Sequence, residues 1–356
     1  MATYLTPGVY VEEVASGNKP IAGVGTGTGA FVGITQKGPV NKATLVTSWT
    51  QFVNTFGIDD SHRLTDSVYD FFNEGGSKCY IVRVVHYEVV STVLTKQSAP
   101  SSLALYDGAT TPAICMTVAV HSDGSWSDGL YKVQVLNSVD PTFDLKVYLA
   151  GTTDTLLETF TGLTNATAPN IVSNYITITG VAGVTTVPAD LAATLLNVGS
   201  DGLTGFGTAD IKGDISIQTG FHALDTVDEV SLIAAPDVHS ISAVDDATVL
   251  ITVKDGLDYC ASRKDCFFIG EPGPGLSPTG VVSWMATVNS SYGAIYYPWV
   301  ESNNGGVMPP SGMVMGAIAR TDAARGVHKA PAGITDGYLR SALSLEKLVT
   351  AGERKC

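Results

Sequence analysis

The chain has 356 residues, 44% of them hydrophobic and only 15% charged, with 38 glycines and a formal charge of −14. That composition describes a globular protein long enough for two or three domains, and no apolar run reaches the ~18 residues needed to cross a bilayer. Between residues 90 and 240, fifteen Asp and Glu face four Lys and no Arg, a net −11, whereas residues 309–356 carry seven Lys and Arg against four acids, a net +3. An acidic middle excludes nucleic acid as its partner, because phosphate contacts need clustered Lys and Arg. The cysteines, 79, 115, 260, 266 and 356, are odd in number and scattered, so neither a disulfide framework nor a zinc site is expected and a reducing cytoplasm fits.

Residues 1–20 alternate apolar and polar side chains (Val9, Tyr10, Val11, Glu12, Glu13, Val14) and then run into SGNKP. This reads as a short strand on a tether, an extended N-terminal arm that must find a sheet edge in its own fold or on another chain. The N-terminus lacks the basic start and apolar stretch of a signal peptide. After the glycine-rich GVGTGTGAFVGIT, a helix is predicted from Ser48, with Gln51 completing a capping box and Gly57 ending it. A second starts near Thr65, aligns Leu64, Val68, Phe71 and Phe72, and ends at Gly75-Gly76; CYIVRVV at 79–85 then reads as a buried strand.

From about 96 to 229 the texture is that of a β domain: Thr, Val, Ser and Gly dominate and turn signals recur at roughly 8 to 12 residues. YKVQVLNS, DLKVYLAG and NYITITGVAG are its clearest strands. Beyond it the α/β style resumes, with strand VSLIAAP (230–236), a helix over 243–262 and strand CFFIG (266–270), the spacing of a parallel crossover. A helix over 278–290 leads to AIYYPWV (294–300), and helical regions cover 311–325 and 336–350. The expected fold class is therefore an α/β core, residues 21–95 plus 230–356, carrying an inserted all-β domain, 96–229, and an N-terminal arm, 1–20.

Candidate chemistry is sparse. Gly25, Gly27 and Ala30 match G-x-G-x-x-A, but a strand follows them where a dinucleotide site needs a helix N-terminus; glycines that ease a close backbone approach are the better reading. Asp237 and Glu271 fall just past the carboxyl ends of two strands, where α/β sites usually sit, and could serve a metal-dependent hydrolase; no His or third carboxylate stands at ligand spacing. Cys260 and Cys266 read as small core residues. Neither a nucleophile elbow, a P-loop nor H-E-x-x-H is present, so the chain is not expected to be an enzyme and no catalytic, cofactor or metal residue is assigned. Residues 309–333, PPSGMVMGAIARTDAARGVHKAPAG, place Arg320, Asp322, Arg325 and Lys329 in a matrix of small residues. A helix packed closely on a neighbour and pinned by ion pairs, with Asp322 and Arg325 able to pair at i, i+3, is favoured over an anion clamp. A binding module confined to 96–229 is a further alternative.

TPGVYVEEV (6–14), GAFVGIT (29–35), CYIVRVV (79–85), SYGAIYYPWV (291–300) and the 309–333 stretch together resemble the sheath proteins of contractile bacteriophage tails and of extracellular contractile injection systems. The resemblance implies a structural polymer of a virion or injection particle, assembled in the bacterial cytoplasm. Six-fold rings of one subunit would stack helically around a tail tube, between baseplate and tail terminator proteins, and contract to drive the tube through a cell envelope, without direct nucleic-acid contact or membrane insertion. It also implies that the arm, residues 9–14, completes a sheet on a neighbouring copy, that the β domain faces outward, and that the basic C-terminal part lies inward, with Arg340 and Lys347 on a helical stretch contacting the tube. Members usually continue past the APAG segment with further strands and a C-terminal arm, so LEKLVTAGERKC is expected to leave the standard arm exchange incomplete.

Overall fold

A computed structural model describes residues 27–241, 245–302, 306–350 and 352–353. The expected arm residues Val9 to Val14 lie outside these described residues, as does Gly25. The chain opens with β1 (Gly29–Gly33), β2 (Thr44–Val46), α1 (Trp49–Phe56), α2 (Arg63–Glu74) and β3 (Cys79–Arg83), then a hairpin of β4 (Tyr87–Val90) and β5 (Val93–Lys96). Strands β6 (Ser102–Tyr106), β7 (Ile114–Val120), β8 (Tyr131–Val139), β9 (Thr142–Leu149), β10 (Thr155–Leu163), β11 (Ile176–Gly180) and β12 (Leu191–Leu195) follow. The remainder is α3 (Thr208–Lys212), β13 (Leu232–Ala234), α4 (Asp246–Arg263), β14 (Phe267–Gly270), α5 (Pro278–Met285), β15 (Gly293–Ile295), β16 (Val300–Ser302), β17 (Gly306–Met308), α6 (Ser311–Arg325), α7 (Gly333–Asp336) and β18 (Ala342–Leu345).

A six-stranded sheet of order β15-β14-β13-β1-β3-β2 forms the centre, parallel except for β2. Its middle strands are buried on both faces, which is why they read as continuous apolar runs rather than alternating ones. Successive side chains still part to opposite sides. Phe31, Ile81, Leu232, Ala234 and Ile269 join Phe52 and Phe56 of α1, Leu64, Val68 and Phe71 of α2, and Met315 of α6 in one apolar cluster. Ala30, Val32, Val82, Ile233 and Phe268 join Ile211 of α3 and Val249, Val253 and Leu257 of α4 in another, with Phe221 and Leu224. The result is a three-layer α/β unit.

Sheets β10-β9-β8-β12 and β11-β7-β6 share a third cluster in which Met116, Val118 and Ile178 meet Val133, Val135, Leu145 and Val147. Here the strands alternate: in β9, Phe143, Leu145 and Val147 are buried while their neighbours are not. One face of each sheet is solvated, the pattern of a sandwich.

Several boundaries differ from expectation. The helix predicted over 278–290 ends at Met285, and AIYYPWV is split, β15 ending in the central sheet and β16 joining a separate sheet of order β17-β16-β18. The largest difference falls on 336–350, expected as helix. Only the short α7 precedes Gly337; β18 then pairs antiparallel with β16, Leu345 opposite Val300. Arg340 and Lys347 therefore do not sit on a helix. Tertiary pairing with β16, together with the burial of Ser341, overrides a propensity that was weak over GYLRSALSL.

Candidate functional site

Residues 309–333 form α6 and the loop after it, and small residues set how closely α6 packs on α2. A methyl group on Gly312 would overlap the Ser67 carbonyl oxygen, and one on Gly316 would stand 2.6 Å from the Phe71 carbonyl oxygen. Gly27, ahead of β1, is equally confined: its added methyl would lie 2.8 Å from Ala319 Cα. Gly27 thus serves close approach to α6, with a strand following it.

Arg320, one turn past Gly316, reaches the end of α2. Its Nη1 donates to Glu74 Oε2 at 2.9 Å and to the Glu74 carbonyl at 2.6 Å, and its Nη2 to the Tyr338 carbonyl at 2.6 Å, while the guanidinium stands 4.6 Å over the Tyr338 ring. Glu74 is fully buried and its Oε1 accepts the Ser341 amide at 2.7 Å. One ion pair thus joins α2, α6 and the segment after α7, and Arg320 supplies a donor to the Glu74 carbonyl, at the helix end where carbonyls lack intrahelical partners. Glu74 and Ser341 were not singled out from sequence. The available signal was a carboxylate on α2 six residues after Val68 and just ahead of Gly75-Gly76.

The expected Asp322–Arg325 pair is replaced. Arg325 Nε lies 3.6 Å and Lys329 Nζ 3.5 Å from the carboxylate of Asp336, and among the described residues Asp322 forms no ion pair. The chain returns past the end of α6 through α7 and brings Asp336 to both cations. Arg340 is exposed beside the Tyr338 ring at 5.8 Å, and Lys347 is half-buried beyond β18.

Asp237 and Glu271 do lie past β13 and β14, and both are buried. Asp237 Oδ2 accepts the Ile34 amide at 2.6 Å, and its Oδ1 accepts those of Arg63 and Leu64 at 2.6 and 2.8 Å. It is the N-terminal cap of α2, delivered from a distant part of the chain, which is why α2 begins two residues before the predicted Thr65. Burial pushes its carboxyl up to about 6 against those three hydrogen bonds. In a doubly wound sheet the crevice between β1 and β13, where crossovers leave in opposite directions, is the usual ligand position. Here the protein's own carboxylate fills it.

Glu271 Oε1 lies 3.5 Å from His239 Nε2 and accepts a 3.4 Å hydrogen bond from Ser311 Oγ, with the Trp299 ring edge-on to His239 at 4.8 Å. Among the described residues, Glu271 Oε2 and both His239 nitrogens have no hydrogen-bond partner. Among the described residues no group of three or more His, Cys, Asp or Glu is arranged to hold a metal ion. A cleft of about 380 Å³ beside β1 and β3 is lined by Asp59, His62, Arg83 and Asp201, among others. Those groups are already engaged: His62 Nδ1 with Asp59 at 2.8 Å, Asp201 with Ser125, and Arg83 Nη1 with the carbonyls of Gly38 and Asp123, both at 3.1 Å. The four described cysteines are buried free thiols.

No family model and no curated protein matches the chain. Solved structures are. A sheath tail protein from Listeria innocua superposes with a TM-score of 0.54 at 12% identity, over 92% of this chain and 62% of that one. A sheath tail protein from Desulfitobacterium hafniense superposes with a TM-score of 0.52 at 14% identity, over 98% of this chain and 69% of that one. This is the fold of sheath tail proteins. The contracted helical sheath of the anti-feeding prophage is matched with a TM-score of 0.46 at 16% identity, over 99% of this chain and 62% of that one. In the segment after α6 several apolar side chains are exposed: Ile334 is 96% exposed, Leu348 83% and Leu343 66%.

Proposed function

We propose that the protein is a structural subunit of a contractile tail sheath, polymerising as stacked hexameric rings around a tail tube and contracting to drive that tube through a target envelope. The observation that carries this reading is a superposition on sheath tail proteins spanning nearly the whole chain. It is supported by a sheet whose ligand crevice is closed by Asp237 and by the exposed apolar residues after α6. A sheath needs two packings of one folded subunit separated by a free-energy drop, the first a kinetic trap set during assembly. No ligand pocket is required for that.

In this reading residues 9–14 add a strand to a neighbouring copy, and 96–229 form an outward-facing insertion whose acidity discourages side-by-side association. Arg340 and Lys347 face the tube, baseplate and terminator proteins bound the array, and the particle assembles in the bacterial cytoplasm. Co-expression with the cognate tube protein, followed by negative-stain microscopy, tests it. Striated sheathed tubes are expected, and removal of residues 1–20 abolishes them; a subunit that stays monomeric beside assembled tubes overturns the proposal. Charge reversal, Arg340→Glu with Lys347→Glu, weakens tube association if those two residues make the contact and leaves it unchanged if they do not.

A further inference from the structure

The segment running from α7 into β18 lies across the C-terminal half of α2, and its hold on that helix is polar. Asp70 and Glu74 are one turn apart on α2, both buried, so both carboxylates serve the same strip of chain. Glu74 is matched to Arg320 and to the Ser341 amide. Among the described residues Asp70 has hydroxyl partners, Ser302 Oγ at 3.3 Å and the Ser341 side chain, and forms no ion pair. Asn73 Nδ2 donates to Ser341 Oγ at 2.7 Å. Of the segment's large apolar side chains Tyr338, Leu343 and Leu345 are exposed and Leu339 is half-buried, so none is fully buried beneath it.

The charged groups around Asp70 come to a short account. Among the described residues, its own helix brings Asp66 and Glu74, β16 and the segment bring the hydroxyls of Ser302 and Ser341, and Arg320 of α6 has its ion pair with Glu74. Burial and the neighbouring carboxylates of Asp66 and Glu74 oppose the ionisation of Asp70.

We propose that residues 336–345 are a releasable strap whose seating on α2 is governed by the ionisation of Asp70: closed while that carboxyl keeps its proton, loosened when it is charged. Protonated, Asp70 can donate to one serine oxygen and accept from another. Ionised, it places a second negative charge beside Glu74, and the strap is the element that can move to admit water. Burial lifts the Asp70 carboxyl to about 7 in the closed state, against about 3.9 for a solvated Asp. The closed state therefore binds the proton more tightly, and strap closure weakens as pH rises from about 4 to about 7 and levels off above that. This holds whether or not the chain polymerises.

Amide hydrogen exchange of the full chain at pH 5.5 and pH 8, corrected for intrinsic exchange and referenced to β8 and β9, tests the strap. The opening equilibrium of 336–345 is expected to rise about tenfold or more in the wild type and to stay flat and low in Asp70→Asn, which keeps a neutral donor. An unchanged wild-type equilibrium, or an equal rise in Asp70→Asn, overturns the proposal. Should that variant fail to fold, carbon-13 titration of the Asp carboxyls in the wild-type chain decides: a midpoint near 4 for Asp70 overturns it, and one near 7 supports it.

Discussion

The three-layer core and the β sandwich solve the burial problem in opposite ways. Core strands are covered on both faces, so helices must come close, and charged groups caught between them are matched individually: Glu74 to Arg320, Asp237 to three amides. Sandwich strands bury one face only, and their charged residues, among them Asp144, Asp154 and Glu158, pair at the solvated surface. The core is therefore specified by a few buried polar contacts, which are costly to leave half-made, and the sandwich by repetitive apolar alternation. That difference locates the sites at which each is vulnerable.

The largest expected effect is Glu74→Ala, which strands Arg320 and the Ser341 amide; a loss of about 3–5 kcal/mol from the core is expected by chemical denaturation, and a loss under 1 kcal/mol would place the pair among mere surface contacts. Leu145→Ala removes a buried side chain shared by the two sandwich sheets, at a cost of about 2–5 kcal/mol. Its loosening should be confined to residues 102–195 in hydrogen exchange, and equal loosening of α2 and α4 would mean that the two regions unfold as one. Asp237→Ala orphans the amides of Ile34, Arg63 and Leu64 and should cost about 3 kcal/mol, with the first turn of α2 exchanging fastest.

The smallest effect is the most discriminating, because the two regions should respond to pH with opposite signs. Asp70 and Asp237 titrate at about 7 and about 6 in the fold, above the ordinary range, so the folded state holds extra protons and the stability of the α2 layer falls as pH rises from about 4 through those values. The His62 ring is also raised: burial opposes its charge, but the hydrogen bond to Asp59 and the nearby Asp237 outweigh it, and that contribution is likewise lost as pH rises. In the sandwich, hydrogen bonds from Asn137 and Lys132 hold Asp144 and Asp154 below their usual range, and bonds from Ser173 and Asn174 lower Glu158 against its burial. Their contribution is present above the ordinary carboxylate range and is lost as pH falls below it. Region-resolved hydrogen exchange at pH 3.5, 5.5 and 7.5 should show the sandwich loosening at the acid end and α2 at the neutral end.

How much of this was legible in the sequence depends on range. Local signals located α1 to the residue: Ser48 Oγ accepts the Gln51 amide at 3.2 Å, while Gln51 Oε1 accepts the Thr47 amide and Gly57 closes the helix. The strands expected at YKVQVLNS, DLKVYLAG and NYITITGVAG form at 131–139, 142–149 and 176–180, and the small-residue stripe of α6 announced close packing, because each of these is decided by residues within one turn or one strand. What only the tertiary structure decided is which partners those residues meet. Asp237, read as a possible catalytic acid, caps a helix more than 170 residues away. Arg325 and Lys329 share Asp336 in place of Asp322, and residues 342–345 become a strand because β16 offers an edge. Patterning fixes which face of an element is apolar, but the identity of a buried charge's partner is set by chain segments brought together only on folding. No local rule contains that information.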